Sequence, residues 1–137
     1  MEKLSLSEIK QIELDILDRF SDYCKQNDIK YFLAYGTLLG AVKYKGFIPW
    51  DDDIDVIVPR EDYDRFIRSF PAEDALELLC RERHSGYVLP FAKLSDPSTI
   101  IKGQIAIKDY EYGVHIDIFP LDGARKKYDH HPLSRLY

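Results

Sequence analysis

The sequence predicts an α/β (α+β) fold in which helices flank a β-sheet, and three observations predict it. A helix-length amphipathic stretch leads the chain over residues 4–27. Short apolar runs follow at 31–35, 53–58 and 113–120, each bounded by turn residues. Segments with helical spacing, marked by glycine and proline, lie between the first runs. A chain of 137 residues corresponds to one domain. It divides into an N-terminal helix over 1–28, a core over 29–123 and a polar tail over 124–137.

The first helix is marked by Ile9, Ile12, Ile16, Phe20 and Cys24 at helical spacing, with Leu17 and Tyr23 widening the stripe. Ser5 and Glu8 fit a capping box at its start, and Asn27-Asp28 ends it. Its polar face carries mixed charge, so it reads as scaffold rather than as a partner-binding face. Tyr-Phe-Leu-Ala-Tyr at 31–35 reads as a short buried strand. Gly36-Thr37 follows, then a short helix over 38–44. A strand, a glycine turn and a helix start form a potential phosphate site, because free N–H groups and the positive helix end converge there. Gly36 lets a phosphate approach the backbone, and Thr37 adds a hydroxyl. Alone this signal is weak, since Gly-Thr before a helix is usually an N-cap.

The organising stretch is 46–58, where Asp51, Asp52, Asp53 and Asp55 run into the apolar residues Val56, Ile57 and Val58. Strand side chains alternate faces, so Asp53 and Asp55 share one face while Ile54, Val56 and Val58 point into a core. Two carboxylates about 5 Å apart repel by roughly 3 kcal/mol at an effective dielectric of about 20. A cation between them removes that repulsion, so the pair reads as half of a divalent-metal site. The bland reading is a solvated acidic turn capping a strand. An EF-hand fails, because its sixth position is Val56 rather than Gly, its twelfth is Asp62 rather than Glu, and Pro59 interrupts the loop. Asp51 and Asp52 read as turn residues beside the site. Trp50 reads equally as a hinge aromatic or a ligand contact, and Lys43 and Lys45 as surface residues or substrate-phosphate neutralisers.

Pro59 to Asp62 starts a helix with Tyr63, Phe66 and Ile67 on its inner face, and Phe70-Pro71 stops it. Residues 72–79 read as a further helical turn or two. From Tyr87 the pattern turns β-like, through 87–94, 98–103 and 104–107, with Pro90 marking an edge or bulge. Lys93 alternates with apolar neighbours, so its ammonium either snorkels to water or meets an anion. In 113–120, His115, Asp117 and Phe119 share one face and Ile116 and Ile118 the other. An aspartate in so apolar a strand is costly unless paired, which makes Asp117 the natural third ligand beside Asp53 and Asp55. His115 reads as a satisfied histidine next to the site. The tail, with His130-His131, has no clear periodicity.

Charge bounds the partners. A net charge of −5 leaves no basic stripe, which argues against nucleic-acid binding. No apolar run approaches the ~20 residues of a transmembrane span, and the N-terminus lacks a signal-peptide core. Cys24 and Cys80 form no CxxC pair and read as free buried thiols in a reducing, cytoplasmic setting.

The residues YGTLLGAVKYKGFIPWDDDIDV, followed by FAKLSD and HIDIFPLDG, resemble the LicD family of the nucleotidyltransferase superfamily. The glycine turn is Gly36-Thr37, the acid pair Asp53 and Asp55, and the third acid Asp117. The match runs over 31–123 and is far more specific than any single glycine turn or acid pair. It implies a mixed sheet flanked by helices and a Mg²⁺-dependent (or Mn²⁺-dependent) transferase. LicD proteins move phosphocholine from CDP-choline to sugars of teichoic acid or lipopolysaccharide, and fukutin-type relatives transfer ribitol phosphate from CDP-ribitol. By that resemblance Asp53, Asp55 and Asp117 hold the metal and carry catalysis, with Asp117 also the general base. From the chemistry of the site, Gly36 and Thr37 are expected to grip a phosphate, Lys93 to add a phosphate contact and Trp50 to meet the choline group. The partners implied are a CDP-alcohol donor and a glycan or lipid-linked glycan acceptor, at the inner face of the membrane. Family members continue beyond the FPLDG motif, so the resemblance also implies a partial family domain. The rival of a different class is a non-catalytic nucleotide- or partner-binding module of the same fold.

Overall fold

The computed structural model describes residues 3–35, 37, 40–44, 53–100 and 112–123. Helix α1 spans Leu6–Gln26, strand β1 Phe32–Leu33, a π-helical turn Gly40–Tyr44, strand β2 Asp55–Pro59 and helix α2 Arg60–Ser69. Strands β3 Glu77–Leu79, β4 Ala92–Ser95 and β5 His115–Leu121 complete the order. The strands form one mixed sheet in the order β1-β2-β5-β4-β3. Only β2 and β5 run parallel; every other neighbouring pair is antiparallel.

The capping box forms as the sequence requires: the Glu8 N–H donates to Ser5 Oγ and the Ser5 N–H to Glu8 Oε1, each at 3.1 Å. The apolar stripe of α1 brings Ile16, Phe20 and Cys24 into the core. There they meet Tyr63, Phe66 and Ile67 of α2 and the inward residues of the sheet, Val56, Val58, Leu94, Ile116 and Ile118. Both helices therefore cover one face of the sheet. Phe20 and Phe66 meet edge to face at 5.2 Å. Pro59 ends β2 and is the N-cap of α2, so strand and helix join without a loop. Arg65 ties the two helices by donating to the carbonyls of Asn27 and Asp28, where α1 ends.

Several expected elements are corrected. The buried strand expected at 31–35 is only Phe32–Leu33, an edge strand with Phe32 exposed, because the sheet covers it on one side alone. Residues 72–79 are not helical; Glu77–Leu79 is strand β3, paired antiparallel with β4. Leu76, Leu79 and Cys80 mimic helical spacing, but the segment is buried on both faces. Leu78 enters the main core, while Leu79 joins Tyr87 and Tyr112 in a second, smaller cluster. Periodicity cannot separate a short two-faced strand from a helical turn. The expected helix at 38–44 is a π-helical turn where it is described. Of the β-like segments, Ala92–Ser95 is the strand, while 101–111 lie outside the described residues.

Both thiols are free and buried as expected. Burial pushes Cys24 up to about 12 and Cys80 up to about 11, so neither is a ready nucleophile.

Candidate active site

The face of the sheet away from the helices carries the polar side chains that the sequence singled out. The strand register fixes their order. Asp55 on β2 lies opposite Asp117 on β5, Asp117 opposite Lys93 on β4, and Lys93 opposite Leu79 on β3. Cross-strand partners share a face, so two acids and a lysine form one line across three strands. Parallel pairing makes the first contact: the Asp117 N–H donates to the carbonyl of Ile54 at 3.0 Å. Asp53 is exposed and lies just before β2, two residues upstream of Asp55. The fold thus brings together acids that are far apart in the chain.

Oxygen-only donors of this kind suit a hard divalent cation. Among the described residues, no three acid, histidine or cysteine side chains converge on one point where an ion would sit. The register supplies two neighbouring carboxylates, with a third upstream.

Asp117 is not the unpaired acid that its apolar strand suggested. Lys93 Nζ donates to Asp117 Oδ1 at 2.7 Å, and Lys93 is only 5% exposed. The same ammonium lies 3.1 Å from His115 Nε2. His115 Nδ1 is 2.9 Å from the Gly113 carbonyl, which can only accept, so Nδ1 carries the proton and Nε2 accepts from Lys93. Burial, then the Lys93 charge, hold the His115 pKa below its usual value, in keeping with a neutral ring. His115 is the satisfied histidine expected. Lys93 meets an anion as expected, but that anion is Asp117. The burial argument for a metal at Asp117 therefore loses its force, because a cross-strand lysine already compensates the charge. Asp117 and His115 take two of the three N–H donors of Lys93, which leaves a third for the phosphate contact expected from the sequence.

Thr37 is tied to the acid strand. Its hydroxyl accepts from the Asp55 N–H at 2.8 Å and donates to the Asp53 carbonyl at 3.3 Å. Its own N–H donates to the Ala34 carbonyl. A hydroxyl has one donor and two acceptor sites, so a single lone pair remains for a ligand. Thr37 thus joins the turn after β1 to the backbone of both acids. Gly36, Trp50, Asp51 and Asp52 lie outside the described residues, as do Lys45, His130 and His131.

Aromatic rings border the acid line, and sequence reasoning did not single them out. Phe119, one same-face step beyond Asp117, stacks at 4.3 Å on Phe91 and meets Tyr35 edge to face at 5.6 Å. Lys93 Nζ lies 5.3 Å from the Phe91 ring centre and 5.5 Å from that of Tyr112. The period of two had already put Phe119 on the face of Asp117. Nothing local marked Phe91 or Tyr35.

Gly113 holds the entry to β5. A Cβ there would overlap the Asp96 carbonyl oxygen and both oxygens of Thr99. That turn is pinned by the Gly113 N–H to Ser95 Oγ at 3.0 Å and the Val114 N–H to Thr99 Oγ1 at 2.8 Å. Gly113→Ala is expected to cost at least about 1–3 kcal/mol, the range for overpacking a filled site, read as a lower urea midpoint. An unchanged midpoint would mean that the turn yields freely.

The family model described as "LicD/FKTN/FKRP, nucleotidyltransferase domain" matches residues 28–132. The lipopolysaccharide cholinephosphotransferase LicD of Haemophilus influenzae is 38% identical over 132 residues, covering 90% of this chain and 47% of that protein. An uncharacterised protein of Rickettsia typhi is 36% identical over 72 residues, covering 52% of this chain and 23% of its own length. This chain thus spans less than half the length of the curated relatives it matches.

Proposed function

The chain belongs to the LicD/FKTN/FKRP nucleotidyltransferase-domain family, and from that membership we propose that it is the donor-binding domain of a transferase. It moves phosphocholine from CDP-choline to a sugar of a cell-surface glycan such as lipopolysaccharide or teichoic acid. The observation that carries this reading is the register of Asp55 against Asp117, with Asp53 just upstream. The Haemophilus relative, by its name, transfers cholinephosphate to lipopolysaccharide.

In this reading Asp53, Asp55 and Asp117 hold a Mg²⁺ or Mn²⁺ ion. When bound, such an ion offsets the charge of the diphosphate and makes a nearby hydroxyl more acidic. Lys93 holds Asp117 through Oδ1, so Oδ2 is the oxygen that would serve the reacting groups. There Asp117 serves as ligand or as the base that takes the proton of the acceptor hydroxyl. The hydroxyl oxygen bonds to the phosphorus that bears choline while the bond from that phosphorus to the CMP oxygen breaks. The products are a phosphodiester and CMP. Thr37 keeps the backbone of Asp53 and Asp55 in register with the turn that receives a donor phosphate, beside Gly36. No helix among the described residues is long and apolar enough to cross a membrane. We place the domain in the cytoplasm, beside the inner face of the membrane, where a lipid-linked acceptor is presented.

Calorimetry with CDP-choline, CDP-ribitol, CTP and ATP, each with Mg²⁺ and with EDTA, tests the reading. CDP-choline should bind tightest, and only with the metal. Tighter binding of CDP-ribitol would make the protein a ribitol-phosphate transferase. No nucleotide binding under either condition would leave a non-catalytic binding module.

A further inference from the structure

We propose that Tyr35, Phe119 and Phe91 form the subsite that receives the trimethylammonium group of the donor. This inference rests on the proposed function above and adds residues that neither the family match nor the relatives assign. A quaternary ammonium cannot donate hydrogen bonds, so a protein holds it chiefly through aromatic faces. The acid line at Asp55 and Asp117 has such faces one step away on the same side of the sheet. Phe119 follows Asp117 by two residues, a separation of roughly 6–7 Å along a strand. Phosphorus and nitrogen in phosphocholine are four bonds apart, a span of similar size. A phosphorus reacting beside Asp117 therefore puts its choline nitrogen near Phe119.

The rings have the arrangement that such a group needs. Tyr35 and Phe119 stand at 76° to each other, making two walls of a corner. Phe91 extends the second wall, tilted by 34° on Phe119. Tyr35 is 66% exposed, so one wall stays open to a ligand. Its backbone is in the left-handed region at φ 51°, a conformation that is strained for a non-glycine residue. The ring rests against Phe119 while most of it stays exposed. The same ring set already receives an alkylammonium, since Lys93 Nζ lies 5.3 Å from the centre of Phe91. Lys93 approaches from β4, and the corner between Tyr35 and Phe119 adds a second approach. Trp50, expected from the sequence as an aromatic contact, lies outside the described residues and is not needed for this corner.

The test measures the ratio of CDP-choline to CDP-ribitol affinity in the presence of Mg²⁺, in the parent chain and in Tyr35→Leu and Phe119→Leu. Tyr35→Leu is the safer variant, because so much of the ring is exposed. Loss of one ring contact worth about 0.5–2 kcal/mol should lower the ratio about 2- to 30-fold. Tetramethylammonium chloride should compete with CDP-choline in the parent and lose that competition in both variants. If the ratio is unchanged in both variants, or if both donors weaken equally, the rings are structural and the proposal is overturned. Titration of tetramethylammonium alone separates this failure from that of the donor reading. A parent that binds no CDP compound yet binds tetramethylammonium through Tyr35 and Phe119 keeps the subsite and sinks the donor reading. A parent that binds CDP compounds but not tetramethylammonium keeps the donor reading and sinks the subsite.

Discussion

Asp55→Asn, and separately Asp53→Asn, should abolish Mg²⁺-dependent donor binding while leaving the fold intact. Ligand at a hundredfold excess over Kd stabilises a native protein by about 2.7 kcal/mol, on the order of 10 °C in melting temperature for a domain of this size. The parent should show that rise when Mg²⁺ and CDP-choline are added together, and each variant should lose nearly all of it. In EDTA the variants should melt at or slightly above the parent. Asp53 and Asp55 at the start of β2 and Asp117 on the neighbouring β5 bring three carboxylates close together on two inner strands of the sheet. Replacing one carboxylate by a neutral amide of the same shape relieves repulsion. The hydrogen bonds of Thr37 run to the backbone of both acids, so they survive the change. Unchanged Mg²⁺-dependent affinity in both variants would remove the acid pair from the site.

The sequence carried those acids clearly because period two is a local signal. Val56, Val58, Ile116 and Ile118 announce buried faces, and the intervening Asp55 and Asp117 are then forced onto the opposite one. The capping box of α1 was legible for the same reason, since all its atoms lie within one turn. What could not be read locally was the cross-strand pairing. Lys93 and Asp117 are 24 residues apart, and only the β4–β5 register makes them partners. Without that register Asp117 looked like a bare charge, and the lysine looked like a contact for substrate. The segment at 72–79 misled for a related reason. Its leucines serve two cores on opposite faces of a three-residue strand, a demand set by the rest of the sheet. Tyr35 and Phe91 were equally hidden, because their ring contacts converge on Phe119 from elements far away in the chain.

The pair hidden from the sequence yields the second large effect. Lys93→Met should destabilise the metal-free protein by about 3–5 kcal/mol, the usual result of removing one partner from a buried ion pair. The lysine side chain is 6% exposed and that of Asp117 21%, so water screens the contact poorly. Methionine preserves most of the lysine's volume beside Phe91 and Tyr112, whose ring centres lie 5.3 Å and 5.5 Å from Nζ, and cavity formation is therefore a minor part of the loss. His115 Nε2 loses its donor in the same variant. Pairing Lys93→Met with Asp117→Leu should recover much of the stability, because no unpaired charge remains. A double-mutant cycle in urea would measure this coupling. The response to metal then distinguishes the two roles of Asp117. If Asp117 is both the partner of Lys93 and a ligand, Mg²⁺ with donor should raise the melting temperature of Lys93→Met more than that of the parent, since the divalent ion supplies the missing positive charge. Asp117→Asn should lose most of that rise. If Asp117→Asn melts far below the parent in EDTA yet keeps the full ligand-induced rise, Asp117 serves the sheet alone, and the three-carboxylate mechanism is wrong for this protein.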